Sequence, residues 1–127
     1  MDFATLARIL MANQNVPFVQ RLFNPGIFPT INNPDGSYSS HKMGWGQSGN
    51  KYYAYPNIDY FNGKLTDFSV PPWNRRFAFD EAMKNKNYIE FGSGEEADYF
   101  GKNYKEGLKF LENESGGDWW SRILSGE

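Results

Sequence analysis

The chain reads as an α+β domain: an antiparallel meander of about four strands, packed by a C-terminal helix and preceded by N-terminal helices. Three observations carry that reading. Aromatic residues make up 18% of the 127 positions while aliphatic residues are sparse, so the core is built from Phe, Tyr and Trp, each of which buries a large area. Thirteen Gly, seven Pro and frequent Asn cut the middle of the chain into short extended runs. Apolar residues at helical steps of three and four are clearest towards the two ends.

Taken in order, Asp2 is placed to cap a first helix running to about Asn13, with Phe3, Leu6, Ala7, Ile9 and Leu10 as its apolar stripe. A second helix begins at Pro17, where proline suits the first turn, and runs PFVQRLF until Asn24-Pro25 stops it, so that Phe18, Val19 and Leu22 face the core. From Ile27 the period changes to strands. NPDG, Asn33 to Gly36, is a turn favouring a three- or four-residue hairpin loop. A loop at Ser48-Gly49 makes residues whose numbers sum to 97 face each other: Trp45 opposite Tyr52, Met43 opposite Ala54, His41 opposite Pro56. Asn62-Gly63 is the strongest hairpin signal in the chain and pairs Tyr60 with Leu65.

Ser69 to Phe77 is too proline-rich for a central strand and reads as an ordered crossing loop pinned by Trp73. A short helix is expected from Asp80 to about Asn85, then a brief extended segment, Tyr88 to Phe91. Ser93 and Glu96 form a capping box that opens a helix carrying Ala97, Phe100, Tyr104, Leu108 and Leu111 on the face laid against the sheet. The single domain is expected to span residues 1–112. Residues 113–127 form a flexible break and a short amphipathic tail in which Trp119 with Ile123, and Trp120 with Leu124, are i,i+4 pairs.

A formal charge of −2 with interspersed signs supplies no positive field of the kind nucleic-acid binding relies on. The absence of cysteine excludes disulfides, thiolate catalysis and cysteine zinc sites. No basic region followed by an apolar run, and no apolar stretch of about 20 residues, marks a leader or a membrane span. The expectation is a protein of the virion or the host cytoplasm, without a cofactor.

His41 is the one histidine and the natural candidate for a general base. Strand alternation sets it on one face with Met43 and Trp45, which favours packing or recognition over catalysis, so no catalytic residue is assigned. One histidine cannot build a multi-histidine metal site, and the carboxylates lack calcium-loop spacing. The acidic pairs Asp80/Glu81 and Glu95/Glu96 are read as first-turn residues complementing helix dipoles. Exposed aromatics are the remaining signal. Tyr38, Tyr53 and Tyr55, with Lys42, share the opposite face of the hairpin and form a candidate partner-binding patch, unless a helix covers it. The tail residues Trp119, Trp120, Ile123 and Leu124 form a second, as a stripe suited to a groove.

PFVQRLFNP, DGSYSSHKMGWG, KYYAYPNI, DEAMKNKNYIEF and EEADYFGKNYK follow one another over residues 17–105. In that order they resemble a small domain that recurs in tailed-phage virion, internal and polyvalent proteins. The resemblance rests on the Asn24-Pro25 stop, the Ser39, His41, Met43 and Trp45 pattern, the run from Tyr53, and the Glu95 to Phe100 helix. It implies assembly or docking and brings no catalytic residues. The chain departs from the pattern in its longer Ser69 to Phe77 crossing, and it is expected to stand without an attached enzymatic domain.

The expected function is that of a non-enzymatic phage protein, a virion component or accessory, acting on phage or host proteins or on further copies of itself. The alternatives are a small hydrolase or cell-wall-acting module using His41, and a host-directed anti-defence protein. Removing Asp118 to Glu127 is expected to leave the melting temperature unchanged and to weaken assembly or partner binding in sedimentation. A truncated chain that unfolds, or assembles as before, contradicts that role for the tail.

Overall fold

The computed structural model describes residues 1–24, 31–32, 38–39 and 43–115. Their order is α1 (Phe3–Ala12), α2 (Pro17–Phe23), β1 (Ile31–Asn32), β2 (Tyr38–Ser39), β3 (Met43–Ser48), β4 (Lys51–Pro56), β5 (Ile58–Phe61), β6 (Lys64–Asp67), α3 (Arg75–Asn85), β7 (Ile89–Phe91) and α4 (Gly94–Ser115). The class is α+β, every strand pair is antiparallel, and α4 packs on the sheet.

Hydrogen bonding divides the strands into three sheets: β1-β2, β3-β4-β7 and β5-β6. β3 pairs with β4 and β5 with β6, each antiparallel, but β4 and β5 belong to different sheets and the neighbour of β4 on its second side is β7. Buried Pro56 and the following Asn57 turn the chain out of the central sheet, and β5 and β6 close on each other as a separate hairpin. There Asn62 and Gly63 both have positive φ, the type I′ turn that Asn-Gly favours, and Tyr60 faces Leu65 as expected.

The β3–β4 register differs from the expected one by two residues. Trp45 faces Ala54, Met43 faces Pro56 and Gln47 faces Tyr52. The loop is Gly49-Asn50, with Gly49 at φ +64 in the first central position, the pattern of a type II′ turn. Because the shift is even, no side chain changes face. Residues 52 and 54 of β4 and 89 and 91 of β7 meet α4, and residues 53 and 55 meet α3.

The central sheet therefore separates two cores. On one side Leu6, Leu10, Phe18, Val19, Leu22 and Phe23 of the first two helices join Ala54, Ile89 and Phe91 of the sheet and Ala97, Phe100 and Tyr104 of α4. Gly107 brings α4 against α1 so closely that a Cβ there would stand 2.9 Å from that of Leu6 and 3.0 Å from the Ala7 nitrogen. On the other side lie Tyr55, Phe68, Ala78 and Ala82, ringed by Phe61, Trp73, Phe77, Phe79 and Tyr88. Trp73 does pin the proline-rich crossing: its ring centroid is 5.1 Å from Phe61 and 5.2 Å from Phe68.

α3 begins at Arg75, five residues earlier than expected. Asn74 caps it by accepting from the Phe77 N–H at 2.9 Å, so Asp80 and Glu81 sit inside the helix and not in its first turn. Asp80 pairs with Arg76 one turn back, at 3.1 Å. The other caps follow the sequence reading. Asp2 accepts from the Thr5 N–H at 2.8 Å, and Ser93 accepts from the Glu96 N–H at 3.2 Å. α4 continues through Asn113 to Ser115, where a break was expected.

Two buried polar residues tie the layers together. Asn87 is 1% exposed. Its Oδ1 accepts from the Phe18 N–H at 2.8 Å, and its Nδ2 donates to Asp59 Oδ2 at 2.7 Å. Val16 provides no side-chain cap for α2, so the open end of that helix is satisfied by a residue 69 positions away. Arg21, 5% exposed, donates from Nη2 to the Ile58 carbonyl at 2.6 Å and holds the same helix to the start of β5. Asn87→Ala leaves the Phe18 N–H and the Asp59 carboxylate without this partner. It is expected to lower stability by about 2–4 kcal/mol in urea unfolding, about 1–3 kcal/mol from the orphaned buried Phe18 N–H and about 1 kcal/mol from the half-buried Asp59 carboxylate.

Candidate functional site

The strongest candidate site lies on the edge of the central sheet. Among the described residues β3 pairs with β4 alone, and its alternation sends Met43 and Trp45 towards α4, and Gly44 and Gly46 towards α3. The two glycines leave flat backbone for aromatic rings. A Cβ on Gly46 would stand 2.7 Å from the Phe79 ring, and one on Gly44 would stand 3.2 Å from the Tyr55 ring. Trp45 lies against the first residue of α4, where a Cβ on Gly94 would fall 2.7 Å from its Cη2. Its centroid is 6.3 Å from that of Tyr52, and the residue is 43% exposed.

Around this edge is a pocket of about 360 Å³ lined by Met43, Gly44, Trp45, Tyr55, Asn57, Arg75 and Asp98. Its residues come from both faces of the sheet. Arg75 arrives as the first residue of α3, and Asp98 from the second turn of α4. A cation and an anion thus face one cavity from opposite sides of a strand. Arg75 makes no ion pair with a carboxylate among the described residues, while Asp98 Oδ2 meets the exposed Lys102 at 2.9 Å, a surface i,i+4 contact of small energetic weight. The Oδ1 of Asn57 is buried without a hydrogen-bond partner, and its Nδ2 is turned towards Gly44, 3.1 Å from where a Cβ would stand. Burial pushes the Tyr55 hydroxyl pKa up, opposed by the charge of Arg75.

A second depression of about 400 Å³ runs between α1 and β7, along Thr5, Arg8, Ile9 and Ala12 on one side and Ile89 to Gly92 on the other. It is open and has no convergent buried polar group, so the β3 edge is the better site. No group of three His, Asp or Glu side chains suited to a metal occurs among the described residues.

The residues singled out in the sequence fall differently. Tyr55 is 2% exposed and packs edge-on against Phe79 at 5.6 Å, so it is a core ring and not part of an open patch. Tyr53 is half-buried between Phe79 and Tyr88. The helix that covers this face is α3, which starts early enough to reach it. Tyr38 belongs to β2, in a sheet separate from Tyr53 and Tyr55. His41, Lys42, Trp119, Trp120, Ile123 and Leu124 lie outside the described residues. Trp45 and the polar group of Asn57, Arg75 and Asp98 were not assigned a role in the sequence reading. The signal for Trp45 was its place between two glycines on a strand, whereas the other three are brought together only by tertiary packing.

No described helix is long and apolar enough to cross a membrane. Protein-family models, curated proteins and solved structures contain no match to this chain.

Behind the sheet, Arg21 and Tyr104 are the buried ionisable pair. Burial lowers the pKa of Arg21, with Asp59 opposing. Burial also pushes Tyr104 from the ordinary 10.0 up to about 12, with Arg21 opposing. The raised value means that the unfolded chain gives up this proton first. Stability from the neutral ring is therefore complete below pH 10 and is lost as pH rises towards 12, by about 2–3 kcal/mol. Urea unfolding from pH 9 to about 11.5 is expected to show that decline, shallower in Tyr104→Phe.

Proposed function

We propose that this is a non-enzymatic protein-recognition domain of a phage, a virion component or an accessory of its assembly, that binds its partner at the β3 edge. The observation that carries the reading is Trp45. A tryptophan 43% exposed on a strand edge, propped from behind by Gly94 and Tyr52 and opening onto a pocket with two opposite charges, has the composition of an interface anchor. Tryptophan and arginine are the residues most enriched at binding hot spots. Its rigidity lowers the entropy lost on docking, since the ring is already held on one side.

The phage context comes from the resemblance over residues 17–105, whose pattern includes Trp45 itself. Partner binding through the tail residues Trp119, Trp120, Ile123 and Leu124 belongs to the same proposal, as a second adhesive end carried by the sequence pattern alone.

Quantitative mass spectrometry of purified particles against infected-cell lysate is expected to find the protein enriched with particles or their assembly intermediates. Trp45→Ala is expected to leave the protein folded but with a lower melting temperature, because more than half of the residue is covered, and, measured well below that temperature, to reduce co-purification of the partner at least tenfold, as loss of about 1.4–3 kcal/mol requires. Undiminished co-purification by the variant contradicts this site, and absence from particles contradicts a virion role.

A further inference from the structure

Resting on the reading of the β3 edge as a recognition site, we propose that its pocket takes the C-terminal lysine or arginine of a partner chain. The free carboxylate would sit on Arg75 and the Asn57 amide, and the side-chain cation between Asp98 and the face of Trp45. The chemistry follows from the lining. Arg75 is a guanidinium without a carboxylate partner among the described residues, suited to forked donation to a carboxylate. The Nδ2 of Asn57 is turned towards the pocket wall at Gly44 and adds a donor beside the cation, while its buried Oδ1, an acceptor, takes no part in holding the carboxylate. On the other side Asp98 and the Trp45 ring line the same cavity, and a ligand cation would be drawn there by charge and by the ring's negative face, displacing the exposed Lys102 that stands 2.9 Å from Asp98.

The spacing selects within this class. Arg75 and Asp98 stand on helices packed against opposite faces of the sheet, so a ligand reaching both must carry its charges at the two ends of a stem. The stem would pass the outer edge of β3 along Met43 and Trp45 as apolar walls, because the Tyr55 ring and the Asn57 amide fill the space beside Gly44. A C-terminal basic residue fits these terms: carboxylate at one end, cation at the other, methylenes between. A volume of about 360 Å³ is near the lower end for small-ligand pockets of ~300–1,000 Å³, enough for one residue and not for a folded element.

The test uses the full chain, labelled with ¹⁵N, and follows the Trp45 indole N–H and the Asn57 side-chain amide during titration. The ligands are a hexapeptide ending in lysine with a free carboxylate, the same peptide amidated at its C-terminus, the same peptide acetylated on that lysine's amine, and free L-lysine and glycine. The free-carboxylate peptide is expected to shift both signals, and each blocked peptide to bind at least about tenfold more weakly. Glycine is expected to leave both signals in place. Arg75→Gln should abolish the preference for the free carboxylate, and Asp98→Asn the preference for the free amine, with melting temperatures reporting that both variants fold.

No shift with the free-carboxylate peptide up to about 20 mM overturns the proposal, as does equal binding of the amidated form. Free lysine binding at least about tenfold more tightly than the peptide overturns the partner-chain source in favour of a small molecule. A partner that depends on Trp45 but is indifferent to Arg75→Gln and Asp98→Asn refutes this ligand and leaves the recognition role standing. Peptide binding without any Trp45-dependent partner does the reverse.

Discussion

The carboxamide of Asn87 is the contact on which the arrangement of the layers depends. It follows α3 directly: Lys86 takes a left-handed conformation at φ +54, and the Asn87 N–H returns to the Ala82 carbonyl at 2.9 Å. The backbone of Asn87 thus ends one helix while its side chain caps another and holds Asp59 of the β5 strand. Three segments distant in sequence are set by one residue with no exposed surface to speak of. A carboxamide can do this because it donates and accepts at once. In an interior of low dielectric, each of those bonds is costly to leave unmade.

From that junction the two cores follow. The face of the sheet towards α1, α2 and α4 is a conventional apolar layer, closed by Gly107 where the helices touch backbone to backbone. The other face is almost wholly aromatic, and rings are bulky. Gly44 and Gly46 on β3 supply the room, since Tyr55 and Phe79 lie where their side chains would be. The same bare strand leaves a hollow at the sheet edge, so the pocket beside Trp45 is a by-product of packing large rings on a short strand.

Much of this was legible in the sequence where the cause is local. The caps at Asp2 and Ser93, the Asn62-Gly63 turn with Tyr60 opposite Leu65, the bounds of α2 and the apolar face of α4 each arise from residues within one turn of each other. The start of α3 is set by Asn74, a good cap whose signal in the sequence is masked by the prolines just before it. The β3–β4 loop slipped by two because both Ser48-Gly49 and Gly49-Asn50 carry turn residues, and pairing chooses between them. What could not be read is what distant segments decide: that β7 sides with β4, that a charged residue of α2 is buried, and that Asn57, Arg75 and Asp98 meet around Trp45.

The meeting of Gly107 with Leu6 and Ala7 also fixes the order in which the protein can be completed. The helix at residues 3–12 rests on the helix at residues 94–115, and the cap of α2 comes from residue 87. Until α4 has been synthesised, the apolar stripe of α1 has only the short α2 and the strands of the central sheet to share its core with. Long-range closure of this kind slows folding and lengthens the exposure of sticky surface. The core shared by α1, α2 and α4 is complete only once the residues of α4 are in place.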